Sequence, residues 1–505
     1  MVDRILVLLA AALPLLAGCS STFTPKTCAV DADCGEEGLV CGREGDQAVC
    51  VSPDDTPLHI GMSAPVSGPS QALGTEMRRG ITLAFDEQNA AGGIRGRKLV
   101  LDFLDDAYQP ALAEQNTRDL LEVKAAEGKV KCPTTTTPAV EGQMPVSTTP
   151  LARGPNAVLA LLGNVGTPTM VRSAPIALET GTLFFGAFTG AAKILRDDLA
   201  GSCHRYVFNV RASYADEARA TLEYFFKSKV LDASHVISFD QNDAFGQAGY
   251  DGLVKAYKAL KGEFMPAPAD PATPLARFRY KRDDATSVPD QVKAVAAHIA
   301  KLLAADTADH TVGILMTDTY GPATSFITGL RQWQYANDAE QITLKKATRL
   351  SIILSNVSFV GPNELAARLK DAGTIISPKG PTPYTDNVLV SQVVPNYEGD
   401  NSEVVQQYRK LLQGGTPTFT SLEGYISGRI FVAGMLAHQG AFTPDALVGT
   451  FENLPKLSLG VGAASGFSKD NHNYSKSVWG TTLDATAVFK NRYFWSEGTS
   501  LQLFE

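Results

Sequence analysis

Apolar and polar positions along this chain alternate in two periods, and the periods take turns. In "TPLHIGMSAPVSG" a β-type run at Leu58–Met62 breaks at Pro65, Gly68 and Pro69. Met77, Ile81, Ala84, Phe85 and Gln88 then step by three and four, leaving Glu76, Arg78, Arg79 and Asp86 outward, as on an amphipathic helix. "NAAGG" ends that helix, because glycine supplies a left-handed cap. "RKLVLDFLDD" reads as the next strand, with Asp105 and Asp106 at its carboxyl end. This is a β-α-β unit, the building block of a parallel sheet.

The alternation continues with a helix over 111–123, a buried strand over 158–162 leading into "GNVGTPT", a helix over 168–179 and the strand "TLFFGAF". Strand, polar turn and helix recur in "HVISFDQNDAFGQAGYDGLVKAYKAL", "TVGILMTDTYGPATSFITGLRQW" and "RLSIILSNVSFVGPNELAARLKDAG", and "SLEGYISGRIFVAGMLAH" adds another helix. Three Pro-rich stretches interrupt the pattern: "EGKVKCPTTTTPAVEGQMPVSTTPLARGPN", "FMPAPADPATPLARFRYKRDDATSVPD" and "ISPKGPTPYTDN". Each is expected to be a surface loop rather than a linker, because the same βα grammar resumes after it. No internal repeat extends beyond that grammar.

The N-terminus follows another logic. Arg4 precedes an uncharged apolar run, Ile5–Ala17. That run is too short for a ~30 Å hydrocarbon core, which takes about 20 helical residues, and it reads as a secretory signal over residues 1–18. Leu16-Ala17-Gly18-Cys19 resembles the bacterial lipobox, which implies a lipid on Cys19, and Ser20 after it points toward the outer membrane. No later stretch is long and apolar enough to cross a bilayer. The body is therefore expected in water on the periplasmic side. With 44% hydrophobic residues it has material for a large core, and a net charge of −8 without a basic block argues against a nucleic-acid partner.

Cys28, Cys34, Cys41 and Cys50 crowd a segment rich in Gly and acids with almost no aliphatic core. Two disulfides are expected there, with three connectivities open. A zinc site of four thiolates ranks below, since no C-x-x-C pair occurs. Cys132 and Cys203 would pair if the loop carrying Cys132 folds back. Asp31, Asp33, Glu36 and Glu37 read as a solvated acidic face rather than a calcium site.

Catalytic signatures are lacking. "GGIRG" follows a helix, whereas a dinucleotide fingerprint needs a strand before it. The seven histidines form no H-E-x-x-H, and Ser63 in "GMSAP" lacks the second glycine of a nucleophile elbow. Asp105 and Asp106 suit a turn or cleft lining better than an acid–base pair. No enzyme activity, cofactor or metal is expected.

Several segments in order then resemble the periplasmic binding proteins of branched-chain amino-acid ABC importers: "IGMSAPVSGPSQALGTEMRRGITLAFDEQNAAGGIRGRKLVLDFLDD", "FFGAFTGAAKILR", "YVFNVRASYADE", "QNDAFGQAGYDG", "NVSFVG", "SQVVPN" and "SLEGYISGRIFV". The resemblance implies two Rossmann-like α/β lobes with parallel sheets, joined by three crossovers, with ligand in the cleft between them. The lobes would comprise 57–207 with 396–475 and 208–395 with 476–505, preceded by a cysteine-rich tether over 19–56. Strand carboxyl ends and helix N-termini converge at such a cleft, where unpaired N–H groups favour a carboxylate.

Carried over residue by residue, the resemblance implies first-lobe ligand turns at Asn164, Gly166 and Thr167 and at Phe188, Thr189 and Gly190, the second turn opening a helix that Thr189 caps. Phe245 and Tyr320 would close the site from the second lobe, with core packing as the alternative. Arg211 and Tyr214, just past a crossover, are implied as further ligand-binding residues, with a surface pair as the alternative. Amino-acid-binding members place an acid where the second lobe meets the ammonium, but the turn here is "SNVSF", with Asn356 and Ser358. Asp318 is the available substitute. The implied function is a lipid-anchored receptor that captures a small carboxylate-bearing solute, an amino acid or an organic acid, for an ABC permease. The alternative is a ligand-sensing lipoprotein of the same fold.

Overall fold

A computed structural model describes residues 26–504 apart from 30, 36–38, 45–46, 52–55, 133–148, 193–194, 196–203, 230–234, 261–274, 283, 460 and 463–464. Two central sheets carry the fold. The first has five parallel strands in the spatial order Leu99–Asp105, Leu58–Ala64, Ala160–Leu162, Leu183–Phe185, Val207–Phe208. The second begins with five parallel strands, Ala276–Tyr280, Val236–Gln241, His310–Thr317, Leu350–Asn356 and Val388–Gln392. Within each set the second strand in sequence lies outside the first and the rest follow on its other side. Each sheet therefore has one switch point, between Leu58–Ala64 and Ala160–Leu162 in one lobe and between Val236–Gln241 and His310–Thr317 in the other. Ligands bind at such points, because the loops there diverge to opposite faces and leave a crevice.

The chain passes between the sheets three times: after Val207–Phe208, after Val388–Gln392, and before Val478–Leu483. The first and third passages pair with each other. Asn209 N donates to His472 O at 2.8 Å and Tyr474 N donates to Asn209 O at 2.8 Å. The expected two-lobed architecture with three crossovers is thus present.

Helices cover the sheets. Gln71–Ala90 packs on Phe419–Ala437, and Pro110–Leu120 on Thr167–Glu179. The first pair approaches backbone to backbone, since a Cβ on Gly80 would fall 2.0 Å from Ser421 O and one on Gly424 would fall 2.4 Å from Met77 O. Alanine at either position would push the helices apart. Phe185 anchors the first core, with Phe208, Phe431, Phe451 and Phe467 rings 4.8–5.9 Å away. Phe239 anchors the second between Tyr280 and Phe326, at 5.4 and 3.8 Å.

Three expectations need correction. The second sheet is mixed: Val478–Leu483, Phe489–Trp495 and Gln502–Leu503 extend it antiparallel beyond Val388–Gln392. The second Pro-rich stretch contains a strand, Ala276–Tyr280, at the other edge of that sheet. Its arginines disguise it; Arg277 and Arg279 lie 2.7 and 3.2 Å from the buried carboxylate of Asp240 on the neighbouring strand. The third stretch holds a hairpin, Thr374–Ser377 with Gly380–Pro383. Two short strands, Lys124–Ala125 and Leu151–Ala152, pair beside the first stretch, of which residues 133–148 lie outside the described residues.

The cysteine-rich segment forms a hairpin, Val40–Glu44 with Gln47–Val51, stapled by Cys28–Cys41 and Cys34–Cys50. These disulfides consume the thiolates of the zinc alternative. Cys132 is also disulfide-bonded. Cys203, Cys19 and the signal segment lie outside the described residues.

Candidate functional site

At the first-lobe switch point the strand ends are tied into one polar cluster. Ser63 N donates to Asn164 Oδ1 at 3.3 Å, and Ser63 Oγ donates to Asp106 Oδ2 at 2.8 Å. Burial pushes the Asp106 carboxyl up to about 6, against the Ser63 and Tyr108 hydrogen bonds. Ala107 and Tyr108 follow with φ of 48° and 63°, a left-handed turn uncommon for side chains larger than glycine. That turn lays the Tyr108 ring against Gly166, whose φ is 98°; a Cβ on Gly166 would meet the ring at 2.3 Å. Only glycine fits there. Asn164 Nδ2 is buried and has no hydrogen-bond partner among the described residues.

The turns at 164–167 and 188–190 lock together. Phe188 N donates to Asn164 O at 2.8 Å and Gly166 N to Phe188 O at 3.1 Å. The Thr167 and Thr189 hydroxyls share a hydrogen bond of 2.7 Å, and Thr189 reaches the Tyr214 hydroxyl at 3.3 Å. Thr167 opens the helix Thr167–Glu179, with Pro168 in its first turn, where the missing N–H costs nothing. Phe188–Gly190 do not open a helix, contrary to expectation: residues 187–192 run as irregular backbone, and the Thr189 hydroxyl accepts Ala191 N at 3.2 Å instead of capping. The preference of threonine for helix starts was a fair cue, but here the same chemistry closes a local turn.

From the second lobe, Asp243 accepts Phe245 N at 2.9 Å and so orients the start of the helix Ala244–Leu260. Burial raises Asp243 to about 6 even with Arg282 nearby. Arg282 in turn donates to Tyr108 O at 3.2 Å, a bond between the lobes. Asp318 is fully buried; its Oδ1 accepts from Asn356 Nδ2, and its Oδ2 has no partner among the described residues. Burial holds that carboxyl well above the usual range, the Asn356 bond offsetting only part. Tyr320 is buried under the Arg368 guanidinium, 4.9 Å from its ring centroid.

Arg211 and Tyr214 are no surface pair: they are 2% and 1% exposed. Arg211 Nη2 donates to Glu217 Oε1 at 3.1 Å and to Ser358 Oγ, while Nη1 lies 3.4 Å from Glu423 Oε1. Burial alone would lower the Arg211 pKa, but Glu423 and Glu217 more than reverse that. Glu217 Oε2 accepts Ser358 N at 2.7 Å and the Ser391 hydroxyl at 2.6 Å. One buried network thus ties the first crossover, the strand end before the second, the 358–360 turn and a first-lobe helix. Its outer side is aromatic, with the Arg211 guanidinium 5.0 Å from the Phe188 ring.

Four participants escaped the sequence reading: Tyr108, Glu217, Glu423 and Phe359. Phe359 is fully buried, with its ring centroid 5.0 Å from Phe188, 4.7 Å from Phe245 and 6.3 Å from Tyr108. Glu217 alone had a signal, since it shares the helix begun by Tyr214; the others come from distant segments. The assembled site is a buried cluster of rings, hydroxyls and carboxyl groups drawn from both lobes.

Comparison with known proteins agrees with this architecture. The profile of the family described as periplasmic binding protein matches residues 57–144 and 155–487. Over 53 residues the chain is 45% identical to Leu/Ile/Val-binding protein homolog 3 of Brucella melitensis, covering 10% of this chain and 14% of that one. A possible leucine/isoleucine/valine-binding protein from Rhodopirellula baltica superposes with a TM-score of 0.66 at 27% identity, covering 87% of this chain and 97% of the other. A solute-binding protein of an ABC transporter from R. palustris, solved in complex with benzoate, gives a TM-score of 0.57 at 18% identity over 86% and 95%. With most of its length matched and both switch points facing one cleft, the chain belongs to the periplasmic binding protein family, a family of non-enzymatic solute-binding proteins with the type I fold.

Proposed function

We propose that this protein is an extracytoplasmic receptor, lipid-anchored through Cys19, that closes its lobes on a small carboxylate-bearing solute and delivers it to an ABC importer. One observation carries the reading: the first-lobe switch point presents a buried, unpartnered Asn164 Nδ2 beside the hydroxyls of Thr167 and Thr189 at a helix start. Buried donors in native proteins are nearly always satisfied, and a carboxylate supplies the acceptor. Where amino-acid binders need an acid for the ammonium, this chain offers Asn356, a Ser358 already bonded to Glu217, and an Asp318 whose burial disfavours its charged form. An organic acid fits that wall better than an amino acid.

Mass spectrometry of solute released from the purified protein tests the reading, together with melting scans against amino and organic acids. Ligand at a hundred times its Kd should add about 2.7 kcal/mol of apparent stability. No stabilisation across a broad panel of such acids would refute it. The anchor is checked separately by fatty-acid labelling of a Cys19→Ser variant, which should lose both label and membrane retention.

A further inference from the structure

We infer that Phe359 is a built-in stand-in for the ligand: its ring occupies, in the closed protein, the place that a flat apolar group of the solute takes. The inference rests on the solute-receptor reading above and narrows the solute to a small acid bearing an aromatic or similarly planar group. Phe359 comes from the second lobe, yet two of its ring partners, Phe188 and Tyr108, belong to first-lobe turns, and Phe245 flanks it from its own lobe. The three centroid distances, 5.0, 6.3 and 4.7 Å, fall in the range where aromatic rings attract. A ring wedged across the cleft among three others makes the contacts that a bound aromatic group would make.

The backbone under Phe359 and its side chain are held by different means. Glu217 pins Ser358 by its N–H at 2.7 Å and its hydroxyl at 3.1 Å, and Val360 N donates to Val357 O at 3.0 Å. The phenyl ring carries no hydrogen bond and packs against the three rings named above. It swings out about its side-chain bonds without disturbing the pinned turn, and a solute ring replaces it at little net loss of contact. An aliphatic solute would replace ring-to-ring contacts less well.

The test compares the full-length protein with Phe359→Ala, Phe359→Leu and Phe188→Ala variants, titrated with benzoate, isovalerate and leucine. Melting scans with benzene and solution scattering without solute accompany the titrations. Phe359→Ala vacates the ring's place, so it should bind benzoate at least about tenfold more tightly than the wild type. It should also be stabilised by benzene, as engineered apolar cavities are, and show a larger solute-free radius of gyration. Phe359→Leu, which keeps apolar volume without a flat ring, should fall between and guards against misfolding of the alanine variant. If Phe359→Ala weakens benzoate as much as Phe188→Ala does, Phe359 is an ordinary wall residue and the inference fails while the receptor reading stands. If the wild type binds none of the three acids but benzene stabilises Phe359→Ala, the stand-in survives and the carboxylate reading loses its support. If benzene has no effect and the scattering is unchanged, the stand-in is wrong whatever the wild type binds.

Discussion

Arg211 Nη1 lies 3.4 Å from Glu423 Oε1, so a residue of the first crossover is ion-paired with a helix of the first lobe while its other nitrogen grips Glu217 in the second. Two carboxylates around one guanidinium make the cluster sensitive to which member is removed. Arg211→Met should cost about 3–5 kcal/mol in urea unfolding, because it strands buried charges. Glu423→Gln should cost less, since Glu217 still pairs the arginine. Equal losses for the two variants would show that Glu423 carries as much of the pairing as the arginine itself.

Thr189 offers a more local test. Thr189→Val keeps the shape but removes the hydroxyl shared with Thr167 and Tyr214. If that hydroxyl also bonds a carboxylate, solute affinity should fall by about 1.5–3 kcal/mol, as for a hydrogen bond to a charged group. Isothermal titration with the solute found on the purified protein reads the change. Unaltered affinity would move the carboxylate away from this turn.

Asp106 and Asp243 give the protein a pH signature. Both have folded pKa values raised from 3.8 to about 6 by burial. An acid so raised binds its proton more tightly when folded, so its contribution is fully present below pH 3.8 and lost as pH rises through about 6. A rise from 3.8 to about 6 corresponds to about 3 kcal/mol for each group. Between pH 4 and 7 the wild type should therefore lose stability relative to Asp106→Asn and Asp243→Asn, whose profiles should be flatter. Parallel profiles would mean that the two carboxyls titrate normally.

The cysteine-rich hairpin should resist alkylation until reduced. Its bridges close loops with sequence separations of 13 and 16 residues, each contributing about 3 kcal/mol in the chain-entropy account. Mass spectrometry with and without reductant should show Cys28, Cys34, Cys41 and Cys50 unmodified in the first state and labelled in the second.

Much of this was readable along the chain. The βα alternation follows from periods of two and three-to-four, and it places Asn164, Thr189, Phe245 and Tyr320 on turns at strand ends without any knowledge of distance. What stayed hidden depends on partners far away in sequence. Ala276–Tyr280 looks like a polar loop until Asp240 neutralises its arginines. The 374–383 hairpin is masked by Pro and Lys, residues that edge strands tolerate. The ion pairs of Arg211 leave no mark along the chain, because Glu217 and Glu423 reach it only when both lobes are assembled. Phe359 carries no signal at all, since a phenylalanine in an apolar turn looks the same whether it faces a core or a cleft.

The antiparallel extension of the second sheet bears on how the chain can be made. Val388–Gln392 is buried along its whole length, but one of its edges is covered only by Val478–Leu483, which arrives after the chain has left to finish the first lobe and come back. Neither lobe is a continuous piece of polypeptide, so synthesis from the N-terminus cannot complete one before starting the other. Until the last residues are present, an apolar strand stands open to pairing with another chain. A product cut short before residue 478 should accordingly aggregate rather than persist as a one-lobed fragment.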